Sequence, residues 1–166
     1  MLGDTTIRKA VQFAIGIEVT GEKLYTNLAE RFSEQQELSE AFSILAKDEK
    51  AHGDRFKVLL DELPPEYEIT SGEDDYRYLI AMARSELFGN GVGLAVALEK
   101  VQSIAEVLTR VLDFEKDTLG FYRAIQDILG KNEALDAIIE EEKKHVTRIA
   151  MFNLTEEKLK QFDDDS

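Results

Sequence analysis

Apolar residues recur every three or four positions along most of this chain, the spacing that lines one face of an α-helix, while the strict alternation of a strand is scarce. The segments that carry this pattern are rich in Ala, Leu, Glu, Lys and Arg, and the only two prolines stand together at Pro64 and Pro65. The pattern predicts an all-α protein with helices over about 4–32, 36–62, 91–129 and 132–152. Ser33 to Gln35 and Gly130-Lys131 read as tight turns. Between the second and third helices, about 63–90 reads as a long crossover holding a shorter helix over about 73–88, ended by Gly89-Asn90-Gly91. The last stretch, about 153–166, is an acidic tail that finishes in Asp163-Asp164-Asp165 and reads as a solvated end. With 166 residues and no composition break, 1–166 reads as one domain.

Two short-looped helix pairs joined by one long connection describe a ferritin-like four-helix bundle rather than the up-down-up-down type with three short loops. Loop lengths alone leave open a helical bundle used as an interaction module. The residues on the inward stripes narrow the choice. Steps of three and four give Ile7, Val11, Ala14, Glu18, Gly21, Tyr25, Leu28 and Phe32 on the first helix, and Leu38, Phe42, Leu45, Glu49, His52, Phe56, Leu59 and Leu63 on the second. The third gives Val101, Ile104, Leu108, Val111, Glu115, Thr118, Tyr122, Ile125 and Leu129, and the fourth Leu135, Ile138, Glu142, His145, Ile149 and Phe152. Each stripe is apolar except near its middle, where it carries a glutamate.

A buried, isolated carboxylate costs several kcal/mol or gives up its charge, and four in one core would be worse. No basic residue other than His52 and His145 lies on a stripe between its apolar ends, so the natural partner is a bound cation. In Glu49-Lys50-Ala51-His52 and Glu142-Lys143-Lys144-His145 the acid and the imidazole lie about 60° apart around the helix and one turn along it, so each pair can face one metal ion. These are the only two histidines in the chain. Glu18 and Glu115 come from the other two helices and are expected to bridge the ions, completing a set known for two-metal carboxylate sites in such bundles. Glu22 reads as a flank position, and Asp48, Glu140 and Glu141 as a solvated face.

An internal repeat supports the same reading: Glu18 to Tyr25 and Glu115 to Tyr122 each give Glu-x6-Tyr, two turns on one helix face. Tyr25 and Tyr122 are therefore expected beside the metals, with hydroxyls able to hydrogen-bond and orient a ligand carboxylate. Composition excludes several other functions. The formal net charge of −14 opposes nucleic-acid binding, and the absence of cysteine removes thiolate metal sites, iron–sulfur centres and a thiol nucleophile. The first residues lack a signal-peptide layout and no stretch approaches a membrane span, so a cytoplasmic location with no membrane partner is expected.

Taken together, Glu18 with Tyr25, Glu49 with His52, Glu115 with Tyr122 and Glu142 with His145 resemble the ferritin-like domain of the rubrerythrin family over about residues 7–152. Asp48-Glu49-Lys50-Ala51-His52, and Phe114-Glu115-Lys116-Asp117 followed by Phe121-Tyr122, are similar to that family's ligand segments. The resemblance implies a non-haem di-iron centre that reacts with O2 or hydrogen peroxide as Fe(II) becomes Fe(III), often in a homodimer. The expected function is a ferroxidase- or peroxidase-like oxidoreductase; the alternative is an iron-binding or storage protein without turnover. Rubrerythrins proper add a rubredoxin-like iron centre on four cysteines, absent here, so an external electron donor is implied. They also carry a further glutamate one turn after the third-helix ligand, where this chain has Thr118, which leaves a nearly symmetric site of six ligands. Carboxylates with one imidazole per metal suit Fe, and also Mn or Zn.

Overall fold

The structure is a computed structural model that describes residues 7–64, 74, 77–79, 81, 94 and 97–164, with 157–164 as backbone alone. Four long helices dominate it: α1 Ile7–Arg31, α2 Gln36–Glu62, α3 Ile104–Leu129 and α4 Glu133–Asp164. Among the described residues there is no strand, and no helix is long and apolar enough to cross a membrane. The short connections fold α1 against α2 and α3 against α4, and the two hairpins meet along their inner stripes, as expected for a ferritin-like bundle. Every stripe residue from Val11 to Leu28 on α1 and from Phe42 to Leu59 on α2 is buried.

The helix ends explain where expectation and structure part. Instead of one helix over 91–129, residues 97–99 are helical, Val101 to Ser103 leave the helix, and α3 starts afresh at Ile104. Ser103 is the reason: in extended conformation (φ −81°, ψ 128°) its hydroxyl accepts from the Glu106 N–H, satisfying a donor that a continuous helix would have used otherwise. The Ser-x-x-Glu spacing is the sequence signature of such a start. α4 instead outruns its expected end at 152 and reaches Asp164, because Thr155 to Gln161 contains neither glycine nor proline to stop it. The start of the first expected helix, most of the expected 73–88 helix and Gly89-Asn90-Gly91 lie outside the described residues; 74, 77–79 and 81 are helical.

Two arginines tie the connections to the bundle. Arg8 on α1 donates to the Leu60 and Leu63 carbonyls at 2.9 and 2.6 Å, closing the C-terminal end of α2. Arg31, stacked over Phe32 with 5.1 Å to the ring centre, donates to the carbonyls of Leu98 and Val101 and so fixes the chain just ahead of α3. At the other end of α3, Gly130 takes φ 74° and ψ −158°, a region open to glycine alone. Gly130→Ala is expected to lower the unfolding free energy by about 1–3 kcal/mol, read from urea denaturation. An unchanged midpoint would mean that the turn relaxes freely.

Candidate metal centre

Halfway along the bundle the apolar stripes give way to a closed polar cluster. Glu18 from α1, Glu49 and His52 from α2, Glu115 from α3, and Glu142 and His145 from α4 are each at most 2 % exposed. Aromatic layers close the cluster at both ends. Tyr25 stacks on Phe42 with ring centres 5.9 Å apart, and Tyr122 meets Phe56 edge-on at 4.8 Å. Water is kept out on both sides, so the charges inside are not screened by solvent.

Small residues let the helices bring these groups together. A Cβ on Gly21 would stand 3.2 Å from Glu49 Cδ, and one on Gly53 would stand 3.3 Å from Glu18 Cβ. Each glycine thus makes room for the acid of the facing helix. Thr118 holds the place in α3 that Gly21 holds in α1; it is buried, and its hydroxyl oxygen has no hydrogen-bond partner.

The tyrosines cross over the centre as a matched pair. The Tyr25 hydroxyl of α1 donates to Glu115 Oε1 of α3, and the Tyr122 hydroxyl of α3 donates to Glu18 Oε1 of α1. Each acid keeps its other oxygen, Oε2, buried and without a hydrogen bond, 3.7 Å from His52 Nδ1 for Glu18 and 3.6 Å from His145 Nδ1 for Glu115. The histidines stack on one another with ring centres 5.4 Å apart. Their Nδ1 atoms face inward: His52 Nδ1 lies 2.7 Å from Glu142 Oε1, and His145 Nδ1 lies 3.2 Å from Glu49 Oε1 and 3.4 Å from Glu142 Oε2. Neither Nδ1 has the alignment of a hydrogen bond, and neither oxygen of Glu142 has one.

Six converging atoms are therefore buried without hydrogen bonds: one oxygen each of Glu18 and Glu115, both of Glu142, and two imidazole nitrogens. Leaving such groups unsatisfied costs about 1–3 kcal/mol each, more when charged. A cation is the partner that suits all six, since every one of them can offer a lone pair. Two sets of ligand atoms lie within 4.8 Å of one another: Glu18, Glu49, His52 and Glu142 in one, and Glu49, Glu115, Glu142 and His145 in the other. Two divalent cations would cancel the charge of four carboxylates and leave both histidines neutral.

The sharing differs from the sequence expectation. Glu18 and Glu115, expected to bridge, each belong to one set, whereas Glu49 and Glu142 belong to both. The outer partners of the histidines also differ. Asp48 and Glu141, expected on a solvated face, turn to the opposing helix: Glu141 Oε2 lies 2.7 Å from His52 Nε2, and Asp48 Oδ2 lies 3.3 Å from His145 Nε2. Arg55 completes the first contact by donating to Glu141 Oε2 at 3.0 Å. An acid directly before each Glu-x-x-His was the available signal, but a walk along one helix cannot show that it serves the histidine of another. Glu22 stays outside both sets, and Glu140 pairs with Lys143 on the surface, both as expected.

The electrostatics follow from the burial. Desolvation, with the charge of Glu49 added, holds the Glu18 carboxyl well above its usual range, and desolvation pushes Glu115 up to about 7 although His145 pulls against it. Burial would raise Glu142 too, but His145 and His52 outweigh it and hold that acid down at about 2. Burial would lower both histidines; Glu142 keeps His52 raised, and Glu115 with Glu142 and Glu49 keeps His145 raised.

The sequence profile of the family described as rubrerythrin matches residues 9–153. In three dimensions the chain is similar to a crystal structure of a Thermotoga maritima protein described as a ferritin-like diiron-carboxylate protein. The TM-score is 0.63 at 21 % identity, with 90 % of this chain and 95 % of that one covered. Identity at that level speaks for the fold alone. No curated protein sequence matches the chain.

Without metal, the raised pKa of Glu115 means that folding takes up a proton there between its usual value and about 7, so its contribution to stability is lost as pH rises through that window. Glu18 acts in the same direction, and the raised His52 adds stability that is lost as pH rises through its folded value. Glu142 acts oppositely, its contribution vanishing only as pH falls toward about 2. Metal uptake displaces the same protons and so strengthens as pH rises. Between about pH 5 and 8 the metal-free protein is therefore expected to lose thermal stability while the metal-induced rise in melting temperature grows. A metal increment that does not change with pH would contradict this arrangement of ligands.

Proposed function

Because the chain belongs to the rubrerythrin family, we propose that its buried cluster holds a non-haem di-iron centre and that the protein is an oxidoreductase acting on O2 or hydrogen peroxide. The observation that carries this reading is the convergence of six buried ligand atoms without hydrogen bonds, in two overlapping sets within one dry core. Glu18 and His52 would serve one ion, Glu115 and His145 the other, and Glu49 with Glu142 would bridge them. Two bound irons would supply reducing equivalents and open coordination positions for the oxidant.

The protein's own part is orientation and exclusion. Tyr25 and Tyr122 hold Glu115 and Glu18 by one oxygen each and leave the other free to ligate. Burial and the charge of neighbouring acids keep the Tyr122 phenol protonated far above its usual range, so it remains a hydrogen-bond donor at any working pH. Glu141 and Asp48, on the outer nitrogens, leave each Nδ1 facing the metals. The aromatic layers at either end keep bulk water and larger reductants away from the centre. With no cysteine among these 166 residues, the electrons for turnover would come from a donor group outside them.

Anaerobic Fe(II) titration followed by oxygen or peroxide tests the proposal. Two ions per chain, bound and then oxidised at that stoichiometry, with repeated turnover when a reductant is supplied, is the expected result. Iron taken up well beyond two per chain as mineral would instead mark a storage protein, and fewer than two would remove the centre.

A further inference from the structure

The two halves of the centre carry one phrase: acid, Glu, two residues, His, two residues, Arg. It runs from Asp48 to Arg55 on α2 and from Glu141 to Arg148 on α4. Each arginine lies one turn beyond its histidine, on the flank that faces the other helix of the pair. On one side the phrase closes across the helices. A single oxygen of Glu141 takes both the 3.0 Å hydrogen bond from Arg55 and the 2.7 Å contact to His52 Nε2.

On the other side the matching groups are Arg148, Asp48 and His145, and they do not close. Asp48 Oδ2 stands 3.3 Å from His145 Nε2, and Arg148 Nη1 is buried with no hydrogen-bond partner. Among the described residues the ion pairs of Asp48 end with His145. Among the acid, histidine and arginine positions of the two phrases the chemical difference is one methylene: aspartate at 48 where the counterpart, 141, is glutamate.

We propose that this missing methylene makes the two metal positions unequal, with the ion beside His52 held firmly and the ion beside His145 held loosely, so that the second fills last and exchanges first. The inference rests on the metal-centre reading given above. An imidazole whose outer nitrogen is fixed to a carboxylate is set in orientation and is a better ligand, and loss of such a partner typically weakens metal binding 10- to 100-fold. Glu141 is itself fixed by a charge-assisted bond from Arg55, so the ring of His52 is anchored through two links. His145 has one longer link, to an acid that makes no ion pair with Arg148 among the described residues.

Calorimetric titration of the metal-free full chain with Fe(II) under anaerobic conditions tests this. The expected isotherm has two phases, one ion each, with constants about tenfold or more apart. Asp48→Glu restores the missing reach and is expected to raise the weaker constant until the phases merge, while Glu141→Asp should weaken the tighter one. Arg148→Gln should leave both constants unchanged in the native background yet remove the gain from Asp48→Glu, because Arg148 acts only once an acid can reach it. Equal constants in the native protein, or a folded Asp48→Glu variant whose weaker constant does not move, would overturn the inequality and leave the metal centre standing. No uptake of Fe(II) at all would overturn both.

Discussion

Carboxylates removed from water set the terms for the rest of this molecule. An acid in an apolar interior must be neutralised by a proton, a paired cation or a metal, and four such acids in one layer exceed what two histidines can balance. Glu18 and Glu115 already lean toward the first remedy, their pKa values raised by burial, while Glu142 takes the second and is drawn between both imidazoles. Glu142 thereby stands in for a metal's attraction: it gathers both rings around itself, in the position from which it would bridge two ions. The metal-free protein is a compromise among these remedies, and two divalent ions would resolve it.

The bundle is organised around that layer. The apolar stripes supply the hydrophobic association of four helices, and their aromatic residues close the layer above and below. Gly21 and Gly53 give up side-chain contact so that Glu49 and Glu18 can enter. The crossed bonds of Tyr25 and Tyr122 link α1 to α3 through the site itself, so the seam between the two hairpins is held by the acids that would hold the metal. Stability and metal binding are in this sense one property, and ion binding is expected to stiffen the fold.

Much of this was legible in the sequence because stripes and motifs obey a local period. Glu18, Glu49, Glu115 and Glu142 stand out as charges where the three-four spacing calls for apolar residues, and His52 and His145 follow at the one spacing that shares a face with their acids. Relations between helices were not legible in the same way. The reach of Asp48 to His145 and of Glu141 to His52 depends on helix rotation and crossing, which no single-helix walk contains. The same limit placed Glu18 and Glu115, instead of Glu49 and Glu142, at the shared position. The break before Ile104 had a local signal in Ser103 and Glu106, but the apolar period runs through it and hides the cap. The length of α4 had a local signal too, in a segment free of glycine and proline, outweighed by its acidic composition.

The family supplies the expectation of iron, and the geometry supplies the reason that a metal belongs there at all. Whether the shared acids bridge is the point on which the two meet. The most direct measurement is anomalous diffraction at the iron edge from crystals grown anaerobically with Fe(II). Two iron peaks enclosed by the four helices, with Glu49 and Glu142 bonded to both and a histidine Nδ1 on each, is the result expected. Iron only on surface acids, with the core carboxylates still gathered on the histidines, would contradict the account at its base.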